Sequence, residues 1–205
     1  MQRQFTRFVE SPSRKNYLAV RDAVLKVTPL PMGAAELAEV AALLEAGAYQ
    51  DVLDRIDLLP ASKVLSPRIH YLAAEAADGL GDDRASELER FLFVLCLKGL
   101  LATGEGTQAA PYSICHVTDE HDLLEAGGHQ PAAQSLVAHE GRWCDVVTCA
   151  DGREVWFDVS VLFQRLLPKT RSRTRSLSAR SAAHSAARKR PRPLAAAGRS
   201  TGTSR

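Results

Sequence analysis

Apolar residues recur along this chain with two periods. From Tyr17 to Leu101 they return every three or four positions, as on one face of a helix. From Tyr112 to Val159 they tend to alternate with polar ones, as on a strand with one covered face. Ser11-Pro12 suits a capped helix start, with Tyr17, Leu18, Val24 and Leu25 behind it and Thr28-Pro29 as the stop. A second helix is expected over Ala34 to Ala46, carrying Leu37, Val40, Leu43 and Leu44 and closed by Gly47. A third, Tyr49 to Leu59, presents Val52, Leu53 and Ile56 before Pro60. Ser66-Pro67 opens a fourth, to about Gly79, with Ile69, Leu72, Ala73 and Ala76 inward. The fifth and longest, after Gly81-Asp82, offers Leu88, Phe91, Leu92, Leu95 and Leu101.

Gly47 and Gly81 stand 34 residues apart, each between two expected helices. That spacing is the tetratricopeptide period. The match is partial, because Val52 and Ser86 replace the expected alanines and only two units are present. The segment from Leu101 to Pro111 is a turn-rich joint. Beyond it, Tyr112 to Thr118 and Ala133 to His139 read as strands, with a short helix between them capped by Asp119 and ended by Gly127-Gly128.

Arg142 to Ser160 reads as a β-hairpin around Asp151-Gly152, expected to be a two-residue type I′ turn. That turn would set Cys149 opposite Glu154 and Thr148 opposite Val155. Cys144, Val146, Thr148, Val155, Phe157 and Val159 would share the covered face, and Asp145 would oppose Asp158. Helices followed by strands define an α+β fold. The expected build is a helical layer of about five helices over residues 1–102 and a mostly antiparallel sheet of three to four strands over 103–167, forming one domain with it. A basic tail without fixed structure should follow over 168–205.

Charge sharpens this division. The chain carries 26 basic and 24 acidic residues, but eleven of the basic ones and no acidic one lie between Lys169 and Arg205. The body before the tail therefore holds 15 basic against 24 acidic residues, a net −9. A tail rich in Arg, Ser, Ala and Pro cannot bury enough surface to offset the entropy of ordering. Its runs Arg171 to Arg175 and Arg188 to Arg192 make electrostatic contact with nucleic acid one candidate role, although no aromatics are interleaved for base stacking. The N-terminus lacks the apolar core of a secretory signal, and Phe91 to Leu97 falls far short of the roughly 20 residues that cross a bilayer. With four scattered cysteines, this reads as a reduced, cytoplasmic protein with no membrane contact.

Few patterns point to chemistry. Two aspartates facing each other on a sheet would repel unless used, so Asp145 and Asp158 are the candidate catalytic pair of a small acid–base or metal-dependent hydrolase. A bulge or an intervening arginine would dissolve the pair. Trp143 and Trp156 are candidate interaction residues, with core packing as the plainer explanation. Cys115, His116, His121, His129, His139, Cys144 and Cys149 lack the close pairs of a zinc site, so no metal or other cofactor is expected. Gly104-Glu105-Gly106-Thr107 lacks the lysine of a phosphate loop.

Several motifs occur in order: Thr103–Thr107 (TGEGT), Pro111-Tyr112, Val117 with Glu120, Gln134-Ser135-Leu136-Val137, Cys144-Asp145-Val146 and Trp156-Phe157-Asp158-Val159-Ser160. Together they resemble an uncharacterised family of bacterial proteins, a domain of unknown function in which TPR-like helices precede a small β region. The resemblance spans roughly Tyr17 to Phe163, and His121 departs from it where an aromatic residue is expected. It implies the fold and a bacterial origin and carries no activity. The function expected on these grounds is a non-enzymatic module that engages another protein.

Overall fold

The computed structural model describes residues 1–28 and 32–166, which belong to one compact unit over Met1–Pro168. The fold is α+β. The helices are α1 (Gln2–Glu10), α2 (Arg14–Val27), α3 (Ala34–Glu45), α4 (Tyr49–Asp57), α5 (Pro67–Gly79), α6 (Asp83–Leu101), α7 (Asp119–Ala126) and α8 (Ser160–Leu166), with a short 3-10 helix at Ala61–Leu65. The strands are β1 (Tyr112–Ser113), β2 (Pro131–His139), β3 (Arg142–Cys149) and β4 (Glu154–Asp158). They form one sheet in the order β1-β4-β3-β2, antiparallel except where β1 runs parallel to β4. The basic tail expected after Pro168 lies outside the described residues.

The helix boundaries follow their caps. Ser66 Oγ accepts the Ile69 amide, with Pro67 in the first turn of α5. Ser13, rather than Ser11, caps α2 by accepting the Asn16 amide. Gly47 and Gly81 end α3 and α5 in the same way, at φ +69° and +74°. In both, the next amide reaches back across the turn, Ala48 N–H to Leu43 O and Asp82 N–H to Ala77 O. The 34-residue spacing therefore marks two equivalent α-hairpins, α3/α4 and α5/α6. They meet where Gly79 leaves room for the Tyr49 ring, since a Cβ there would come within 2.5 Å of it.

Two helix-lined cores result. Met32, Leu37, Val40, Val52, Ile56, Ile69 and Leu72 fill the one among α3, α4 and α5. The larger one joins Phe8, Tyr17, Val20, Val24, Leu95 and Leu100 from the helices to Val147, Val155 and Phe157 from the sheet and Val159 just after it. Helices and sheet thus share a core. Helix α1, which sequence patterning did not reveal, contributes Phe8, edge-on to Tyr17 at 5.6 Å between ring centres.

The hairpin departs from its expected register by one residue. Thr148 pairs with Glu154, Val147 with Val155, Val146 with Trp156, Asp145 with Phe157 and Cys144 with Asp158. A type I′ turn needs two residues at positive φ, and here only Gly152 supplies one, at +82°. The loop therefore takes three residues, Ala150 to Gly152. Gly152 N–H donates to Cys149 O, Cys149 N–H donates to Arg153 O, and Asp151 Oδ1 accepts the Arg153 amide. The I′ geometry appears one turn earlier, where Glu140 at φ +47° and Gly141 at +77° join β2 to β3.

One residue of slip exchanges the faces of β3. Val147 and Cys149, not Val146 and Cys144, join Val155 and Phe157 in the main core. Cys144 and Val146 cluster with Trp156 and Val137 on the outer face.

The Thr103–Thr107 loop closes the β4 side of the sheet. Gly106 O accepts the Trp156 amide at 2.9 Å, and Thr103 Oγ1 accepts the Ser113 amide at 2.8 Å. Gly104 is required there because a Cβ would lie 2.3 Å from the Pro111 carbonyl oxygen. The loop is a structural seam.

Candidate functional site

Helix α7 buries three acidic side chains within eight residues. Asp119, Glu120 and Asp122 are at most 4% exposed. Burying a carboxylate is costly unless it is paired, so each one's partners are informative. Asp119 Oδ2 accepts the amides of Cys115 and His116, both at 2.9 Å, and Oδ1 lies 3.3 Å from His116 Nδ1. Asp119 thereby fixes the turn that ends the expected strand after Ser113. Asp122 takes both the backbone and the guanidinium of Arg68 at the start of α5, and Glu125 takes the same guanidinium at 2.7 Å. Burial pushes Asp122 up to about 6, even though Arg68 pulls it down.

Glu120 turns toward the sheet. Its Oε2 accepts from Gln134 Nε2 at 3.0 Å, and its carboxyl lies against that of Asp145. Oε1 meets no N–H or O–H donor among the described residues, so the carboxyl–carboxylate contact holds only if one member keeps a proton. Burial first, then the Asp145 charge, pushes Glu120 up to about 9, so Glu120 keeps it. Burial also raises Asp145, against hydrogen bonds from Glu120 and Gln134. Three separated polar motif residues, Glu120, Gln134 and Asp145, meet at this point. A hollow of about 220 Å³ beside them is lined by Glu120, His121, Leu124, Pro131 to Gln134 and Val147. The pair can hold and release one proton there and also ties α7 to β2 and β3.

The other candidate residues do not converge. Asp145 faces Phe157 across the hairpin and Asp158 faces Cys144, which puts the two aspartates on opposite sides of the sheet. The pairing expected from a two-residue turn is thus not made. Asp158 Oδ1 instead accepts the Ser160 amide at the start of α8. Trp143 stacks against Phe163 at 4.5 Å between ring centres on the core side, whereas Trp156 is buried on the outer side beside His139. They form no shared aromatic platform.

Cys115 and His116 are buried at the helix–sheet junction, and Cys144 and Cys149 lie on opposite faces of β3. Among the described residues no three His, Cys, Asp or Glu side chains are grouped to hold a metal ion. A hollow of about 710 Å³ is lined, among the described residues, by Gln2, Arg3, Gln4, Thr6, Arg7 and Glu10 of α1.

An apolar surface on α6 is the clearest outward feature. Leu88, Phe91, Val94 and Leu101 are 55%, 51%, 44% and 45% exposed. At 100° per residue they fall within about 140° of one face, a stripe that continues a helix already buried on its other side. Next to it, Tyr71, Phe93 and Leu97 line a hollow of about 380 Å³ with Arg68, Asp122 and Glu125 at its polar end. Sequence periodicity placed Leu88, Phe91 and Leu101 on one stripe and assigned that stripe to the core. Of the expected set Leu95 is indeed buried, whereas Leu88, Phe91 and Leu101 are not, and burial extends to Cys96 and Leu100.

These features define an α+β protein with a proton-sharing carboxyl pair at a seam and an uncovered helix face. No family model matches the chain, and neither a curated protein nor a solved structure matches it. Among the described residues no helix is long and apolar enough to cross a membrane.

Proposed function

We propose that this protein is a non-enzymatic, cytoplasmic interaction module of TPR-like build, in which the outer face of α6 receives an amphipathic helix of another protein. The exposed stripe of Leu88, Phe91, Val94 and Leu101 carries this reading. Solitary surface leucines are ordinary, but four large apolar residues aligned along one helix form the kind of groove-side surface that helical partners cover. The hollow at Tyr71 and Phe93 extends it with aromatic contact. Replacing both Phe91 and Val94 by Asp in the full chain should abolish co-purification of the native partner while leaving far-UV circular dichroism unchanged. An identical set of bound proteins for both forms would overturn the reading.

The acidic body and basic tail support a second, separate activity, in which Lys169–Arg205 contacts nucleic-acid phosphates without sequence preference.

A further inference from the structure

Strand β2 is an edge built without the features that normally keep edges apart. Pro131 to Ala138 contains no charged side chain, and its first six residues are all exposed. Edge strands are usually blunted by lysines, inward charges, prolines or bulges. Here Pro131 and the single irregularity between Pro131 and Ala133 lie at the very start, leaving Ala133 to His139 regular.

The hydrogen-bond phase of the sheet identifies which groups this edge presents. Cys149 N–H donates to Arg153 O, and Val159 N–H donates to Trp143 O, so the odd-numbered residues of β3 bond toward β4. In an antiparallel ladder the bonding direction alternates. The even-numbered residues Cys144, Val146 and Thr148 therefore bond toward β2, where their partners are Val137, Ser135 and Ala133. The amides and carbonyls of Gln134, Leu136 and Ala138 point outward, and no described strand pairs with them.

We propose that two copies of this chain pair antiparallel through β2, with the two-fold axis at Leu136. This register sets Leu136 against the second copy's Leu136 and Gln134 against its Ala138, so all three outward-facing residues find partners. Leu136, 45% exposed, lies on the same face as Asp145 and Val147, so the contact extends the sheet's core face across the axis. The body carries −9, so copies repel wherever acidic surfaces meet, and β2 offers a charge-free stretch identical on both sides. A peptide from another protein would leave this self-matching pattern unused.

Light scattering coupled to size exclusion, on the full chain across a concentration series, should give twice the 22.3 kDa monomer mass at the upper end. Leu136→Pro should restore the monomer, because it removes an outward amide and no bond to β3. If that variant misfolds, Leu136→Lys decides, since it places two like charges at the axis. Hydrogen exchange adds a signature: the amides of Gln134, Leu136 and Ala138 should slow as concentration rises, whereas those of Ser135 and Val137 should be slow throughout. A monomer at every concentration overturns the proposal. So does a dimer that survives Leu136→Lys, or exchange at the three outward amides that does not depend on concentration.

Discussion

Glu120 on α7 faces Asp145 on β3, its carboxyl held by Gln134 and raised by burial and by the Asp145 charge. Because burial and the neighbouring charge raise Glu120 from 4.5 to about 9, the folded chain retains a proton that the unfolded chain releases across that interval. Stability from this group is complete below the unfolded value and is lost as pH rises through the folded one. The fall should approach at most about 1.4 kcal/mol per pH unit. Asp122, raised to about 6, adds the same sign at the acid end. Glu120→Gln keeps a donor toward Asp145 and removes the titration, so its urea midpoint should be flatter than wild type above pH 6. Parallel pH curves would refute the pairing.

Gly99 sits where α6 crosses the aromatic pair of α1 and α2. A Cβ there would lie 2.4 Å from the Tyr17 ring and 2.7 Å from Phe8. Gly99→Ala should therefore destabilise by about 1–3 kcal/mol, against the small gain in helix propensity that alanine normally brings. Thermal denaturation reads the sign directly, and a raised midpoint would mean that α1 is not packed there.

Asp158 serves the entry to α8 by accepting the Ser160 amide, while Ser160 Oγ accepts the Trp143 amide at 2.9 Å. Asp158→Ala should cost about 1 kcal/mol, as for loss of a helix cap, and Asp158→Asn should recover most of it. Chemical denaturation of the three forms separates this role from one that depends on negative charge, for which asparagine would fail as badly as alanine.

Deleting Lys169–Arg205 removes eleven basic residues and should eliminate retention on double-stranded DNA at low salt. For the intact chain the logarithm of the binding constant should fall linearly with the logarithm of salt concentration. Equal retention of both forms would end the tail's claim on nucleic acid.

Local signals accounted for most of the fold. Ser66-Pro67 and the two glycines after α3 and α5 determine chain geometry by themselves, so their helices could be placed from sequence alone. Helix α1 could not, because its only strong evidence, Phe8, acquires meaning through Tyr17 and Gly99. The hairpin register turned on one backbone angle at Asp151, which composition does not specify. An Asp-Gly pair fits a two-residue loop and a three-residue loop about equally well. The Asp145–Asp158 pairing depended on that angle, whereas the Glu120–Asp145 contact depends on α7 folding back over β2. Its signal was three acids in an amphipathic helix beside a buried leucine pair, a pattern that indicates enclosure without naming the partner.

Gly106, by taking the Trp156 amide, gives the sheet a finished rim on one side and leaves the other unfinished. A second copy that pairs through its own β2 uses up that border on both molecules, so assembly of identical chains along this edge stops at two.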